Sequence, residues 1–164
     1  MKTMNEFPPT VQRVAELLNK NGHNKPIVML NTTGKTSYDA ALALGCSMAA
    51  IAKSIVFRRM SDDAAIMVIT SGAKKIDETK VAKIVGGDIT KANAQFVKEN
   101  VGYAIGGVCP IGHIKPSIVL IDQSLLEQES VWAAAGHPHA VFNLTPPQLA
   151  EMTAAPIVDV SLAG

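Results

Sequence analysis

Net charge is nearly absent from this sequence: 15 lysines and arginines stand against 14 acidic residues, leaving +1 over 164 residues. That balance excludes the global field that draws extended nucleic acid onto a protein, so DNA is not an expected partner and any RNA contact is confined to a short end. Long apolar runs are also absent. None reaches the roughly 18 residues of a membrane span, and the N-terminal "MKTMNEFPPT" lacks the apolar centre of a secretory leader. A cytoplasmic location without membrane contact is therefore expected. Only two cysteines occur, Cys46 and Cys109, without a CxxC pair, so free thiols are expected. Neither a GxGxxG nor a Walker pattern is present, which disfavours a nucleotide-phosphate loop.

What is present reads as a folded chain. An apolar fraction of 48% with 18% charged residues is that of a globular protein, and the length suits one domain over 1–164. Thr10 is placed to cap a helix through "VQRVAELLNKNG", followed by a strand "PIVMLN" at 26–31. "TSYD" at 36–39 has capping-box spacing and opens a second helix that ends at Gly45. "IAKSIVFRR" at 51–59 and "AAIMVITSG" at 64–72 flank the polar turn "MSDD" and predict a hairpin. Helices are predicted from Asp77 to Gly86 and through "ANAQFVKENVG". The last third predicts strands "YAIGGV", "SIVLID", "VWAAAG" and "HAVFNL", then a helix begun by Thr145 and Pro146. Strands that follow one another in this way argue for an α+β fold on a mixed or antiparallel sheet, with seven or so strands able to curl into a barrel.

Three segments could carry chemistry. Lys53 lies in the apolar run "AIAKSIVF", where strand alternation puts it on one face with Ile51, Ile55 and Phe57, opposite Ala52, Ser54 and Val56. Its ammonium is either brought toward a pocket or snorkels to solvent from the strand's start. The paired glycines Gly106 and Gly107 in "AIGGVCPIGH" would let backbone approach a ligand, or else form a bulge before a turn at Pro110 and Gly112; His113 faces a ligand or merely closes that turn. In "AAAGHPHAVF", small side chains leave room and Gly136 could offer an unobstructed amide. His137 and His139 lack the i, i+4 spacing of helical zinc ligands, and the cysteines lack close pairing, so no metal is expected. A thiol enzyme using Cys109 beside His113 is an alternative.

In order and spacing, "TSYDAALALGC" leading into "IAKSIVF", then "AIGGVCPIGH", then "AAAGHPHAVFNLTPPQL" resemble the YbaK-type aminoacyl-tRNA deacylases. That family includes the editing domain inserted in bacterial prolyl-tRNA synthetases. The resemblance runs from about residue 30 to 160 and implies a mixed, barrel-like β-sheet surrounded by helices. It also implies hydrolysis of a mischarged aminoacyl ester in trans, with no cofactor. The partners implied are the acceptor end of tRNA and, secondarily, a tRNA synthetase. Lys53 falls on the family's lysine, Gly106 and Gly107 on its glycine loop, and Gly136 on a glycine of its second wall. Lys53, Gly106 and Gly107 are thus the candidate catalytic residues, with Ile51, Ser54, Pro110, His113, Gly136 and His137 as candidate substrate contacts. Cys-Pro at 109–110 departs from the expected Pro-Pro, although Pro110 keeps the turn. The residues present no Ser-His-Asp set, so a positioned water is expected as nucleophile, acting on the ester of a small amino acid. A non-catalytic module that binds an aminoacyl end or a free amino acid is the competing expectation.

Overall fold

The computed structural model describes residues 6–31 and 36–163; residues 1–5 of the N-terminal stretch read for a leader lie outside them. Helix α1 (Pro9–Lys20) precedes the short strand β1 (Val28–Met29) and helix α2 (Ser37–Leu44). The hairpin β2 (Ile51–Arg59) and β3 (Ala65–Ser71) follows, then α3 (Glu78–Val85), β4 (Ile89–Lys91) and α4 (Ala94–Asn100). After a long loop come β5 (Ile118–Asp122), β6 (Val131–Ala134), β7 (Ala140–Leu144), α5 (Pro146–Thr153) and β8 (Ile157–Val158). One mixed sheet of eight strands runs β1-β7-β6-β2-β3-β5-β8, and β4 joins it through β2.

Burial alternates along β3 between two apolar layers. Met67 and Ile69 enter the larger core with Val11 and Val14 of α1, Val97 of α4 and Leu149 of α5. Ile66 and Val68 turn to the other face, against Phe57 and α3's Val81. A third, small cluster packs Ala40 and Ala41 of α2 on Ile51. β-Branched and large apolar residues at period two build this sheet, because each face has helices to bury it. No helix among the described residues is long and apolar enough to cross a membrane.

Several local expectations change. The segment "YAIGGV" is a loop, because Gly106 takes φ +92° and the Gly107 amide turns back to the Ala104 carbonyl at 2.9 Å. Helix α1 starts two residues earlier than expected, with Pro9 in its first turn; the Thr10 hydroxyl, rather than capping, donates to the Gly136 carbonyl at 2.7 Å. At Thr36 half of the capping box forms: its hydroxyl accepts from the Asp39 amide at 3.0 Å and donates to the Asp39 carboxylate at 2.7 Å. The short strands β4 and β8 carry too few residues to show a period.

Candidate active site

Strand β2 has a full partner on one edge and a divided one on the other. The Gly72 amide donates to the Ile51 carbonyl and the Arg59 amide to the Ala64 carbonyl, so the odd-numbered residues of β2 turn their main-chain groups toward β3. The even-numbered residues face the opposite edge. There β6 pairs in parallel with Ile51 and Ala52, and β4 pairs antiparallel with Phe57 to Arg59. The Val56 carbonyl is taken by the Ala92 amide at 3.1 Å. Ser54, between the two partners, meets no strand on that edge. Its amide and carbonyl open into the fork, and its hydroxyl is buried without a hydrogen-bond partner among the described residues.

A cleft of about 290 Å³ occupies this fork. Residues 51–55 of β2 floor it, Ile105, Gly106 and Val108 form one wall, and Trp132, Ala134, Ala140 and Val141 form the other. Across Ile105 and Gly106 lies an adjoining chamber of about 310 Å³ between β2, Lys91 and Val97. Lys53 lies half-buried on the cleft floor, in the gap between the α2 and α3 clusters. Its Nζ donates to the Lys74 carbonyl at 2.7 Å. Burial first, then the charges of Lys91 and Lys75, pull its pKa below the ordinary lysine value. The ammonium is thus held by a main-chain carbonyl of the segment that follows β3 rather than extended freely into solvent.

Gly106 lines the cleft. Gly107 is used differently: a Cβ there would stand 2.7–2.8 Å from the main chain of residue 137, so its missing side chain lets the loop lie directly on that backbone. His137 thus supports the loop with its main chain, while its ring accepts the His139 amide at 3.1 Å on Nδ1. Burial, and then His139, lower the His137 pKa.

Pro110, His113, Gly136 and His137, expected as substrate contacts, do not line the cleft. Pro110 is buried behind the loop. The His113 ring is spent internally: Nε2–H donates to the Cys109 carbonyl at 2.9 Å and Nδ1 accepts from the Ser117 hydroxyl at 2.8 Å in the neutral ring. Burial lowers its pKa and favours that neutral form. Gly136 takes φ +96° and lies against α1, where a Cβ would come within 3.0 Å of the Thr10 carbonyl oxygen. The thiol-enzyme alternative fails on geometry. Cys109 is wholly buried with its thiol pushed up to about 12, mainly by desolvation, and His113 meets its carbonyl rather than its sulfur. Among the described residues, no three His, Cys, Asp or Glu side chains converge.

Sequence reading overlooked two parts of this site. Trp132 was passed over because "VWAAAG" is an ordinary strand pattern, although a lone tryptophan among small residues was the available signal. The Lys74 carbonyl leaves no signal, since any residue supplies one.

Residues 32–152 match the model of the aminoacyl-tRNA editing domain. The uncharacterised protein YwhH of Bacillus subtilis (strain 168) is 33% identical over 127 residues, covering 77% of this chain and 80% of YwhH. A proline–tRNA ligase of Brachyspira hyodysenteriae is 34% identical over 92 residues, which make up 56% of this chain and 16% of that ligase. One solved structure, described provisionally as a trans-editing enzyme for prolyl tRNA synthetase, superposes with a TM-score of 0.89 at 34% identity. The match covers 96% of this chain and 100% of that one. A family match over most of the chain and a relative spanning most of both lengths lead to one conclusion: the chain belongs to the aminoacyl-tRNA editing domain family.

Proposed function

We propose that this protein is an aminoacyl-tRNA deacylase, one editing domain over 1–164 that hydrolyses mischarged esters of a small amino acid in trans. The observation that carries this reading is the fork of β2. It presents the Lys53 ammonium and the strand-free main-chain groups of Ser54 to one cleft, with Gly106 on the wall. The solved relative of equal extent, itself described provisionally as a trans-editing enzyme for prolyl tRNA synthetase, supports action on tRNA charged by a separate synthetase.

In the proposed reaction, a water oxygen bonds to the ester carbonyl carbon and the carbon–oxygen bond to the terminal ribose breaks. The water's proton passes to the departing ribose oxygen, which leaves free amino acid and uncharged tRNA. Lys53 supplies positive charge near the ester or the terminal phosphate. The Gly106 amide makes no hydrogen bond within the described residues and is the loop donor assigned to the carbonyl oxygen, while the Gly107 amide is spent on Ala104. The Ser54 carbonyl is available to hold the water. Catalysis of this kind rests on positioning and fixed dipoles rather than on a nucleophilic side chain. Ala52, Ala134 and Ala140 line the cleft beside larger apolar residues, which favours exclusion of a bulky amino acid over weak discrimination by a single methylene.

The test is a deacylation panel: purified protein against tRNAs charged with alanine, serine, threonine, cysteine or proline, with and without a chelator, and with the Cys46→Ser plus Cys109→Ser double variant beside the parent. At least one ester should be cleaved, and neither the chelator nor the loss of both thiols should abolish hydrolysis, because attack by water needs neither metal nor thiolate. Loss of hydrolysis in chelator, or in a folded double variant, would overturn the mechanism. Inactivity of the untreated protein on every ester would favour the binding module.

A further inference from the structure

Trp132, the chain's one tryptophan, forms part of the cleft wall without belonging to any chemical step above. Its neighbours Val131 and Ala133 are buried in the main core, so Trp132 and Ala134 project to the opposite face of β6. The parallel register sets Trp132 beside Ile51, which places it on the same sheet face as Lys53. With strands about 4.8 Å apart and a rise of about 3.3 Å per residue, the Trp132 and Lys53 backbones stand roughly 8 Å from each other. Trp132 packs, half-buried, against the cluster of Ile51 with Ala40 and Ala41 of α2, which holds the ring in place. No aromatic ring or guanidinium stacks on Trp132 among the described residues.

An anchored indole and a fixed cation thus line the same cleft. A nucleotide has the complementary arrangement, a π-face at one end and an anionic phosphate at the other. Aromatic side chains that receive single-stranded bases do so by stacking, which accepts any base that presents its face. A small amino-acid side chain has no such face. We infer that Trp132 is a positioning residue that stacks the terminal adenine of the tRNA acceptor end, while Lys53 meets the same nucleotide from the cleft floor. The inference rests on the editing reading above and extends it to the nucleoside end of the substrate. It also accounts for a large aromatic side chain in a wall otherwise built of Ala134, Ala140 and Val141.

Because the chain has one tryptophan, emission excited at the red edge, where its two tyrosines do not absorb, reports Trp132 alone. Titration with uncharged tRNA carrying an intact CCA end should quench that emission, whereas the same tRNA lacking its terminal adenosine should leave it near the free level. In steady-state deacylation, Trp132→Ala should raise KM about tenfold, the scale of one lost base stack, with kcat within about twofold; Trp132→Phe should recover most of the KM. Equal quenching by both tRNAs, or an unchanged KM in a folded Trp132→Ala protein, would overturn the assignment. If the parent cleaves no ester, the editing reading falls, and the fluorescence comparison still decides the role of Trp132. The same comparison decides if Trp132→Ala does not fold.

Discussion

At Lys53 a charge is held where water is partly excluded, and the cost of holding it governs the effect of replacing it. Its folded-state pKa lies below the unfolded value, so the charged form is disfavoured by folding. Stability is therefore reduced below the folded-state value and recovers as pH rises through it toward the ordinary lysine range. Activity that depends on the ammonium declines over that same rise. Lys53→Met keeps an unbranched chain one atom shorter and removes both the charge and its bond to the Lys74 carbonyl. It should leave the melting temperature within a few degrees of the parent and lower single-turnover deacylation about 100-fold, the scale for one preorganised electrostatic contact. Lys53→Arg keeps the charge on a planar, longer head that cannot reproduce the point contact with Lys74, so it should restore only part of the rate. A folded Lys53→Met protein with parental rates at all pH values would remove Lys53 from the mechanism.

The elements show which parts of this molecule are local and therefore readable. "IAKSIVFRR" was expected as a strand over 51–59 and is one, because alternating apolar residues with β-branching leave few other ways to bury both faces. The helix starts at Thr36, Asp77 and Thr145 were readable for a similar reason, since each cap is made by a side chain within the same turn. "YAIGGV" failed because an apolar loop that lines a cleft and a strand share the same letters, and the positive φ of Gly106 separates them. Gly136 was legible as a special position, but its reason lies 126 residues away on α1, at Thr10. Sequence alone suggested that Gly136 offers its amide to a ligand; the structure puts any side chain at 136 into the contact between α1 and the β6–β7 turn. Gly136→Val should therefore cost about 1–3 kcal/mol of stability from its left-handed backbone alone, visible as a lowered melting temperature. Well below that temperature, the deacylation rate per folded molecule should stay within about threefold of the parent. A parental melting temperature with abolished hydrolysis would return Gly136 to the pocket.

At the scale of the whole molecule the site exists because β2 cannot keep one neighbour along its full length. β6 arrives in parallel from about 80 residues later in the chain, and β4 returns from the other direction, so the two part around Ser54. No local pattern encodes that fork, which is why Lys53 and Gly106 were legible as separate candidates and the main-chain groups of Ser54 were not. The arrangement makes the floor rigid and the wall less so. β3 backs the floor with all seven residues buried and strands on both sides. The wall, by contrast, is the irregular loop over 101–117, whose few main-chain bonds include Gly107 to Ala104 and Ile114 to Val101. Amide exchange follows such differences, since a ladder buried on both faces opens only with global unfolding whereas a loop opens locally. Hydrogen exchange should therefore find the slowest amides in β3 and faster ones at 104–108. Adding uncharged tRNA should protect 104–108 without further change in β3, because the ligand closes a wall onto a floor already in place. Protection confined to β3, or exchange in the loop as slow as in β3, would show instead that the cleft is not divided into a fixed floor and a yielding wall.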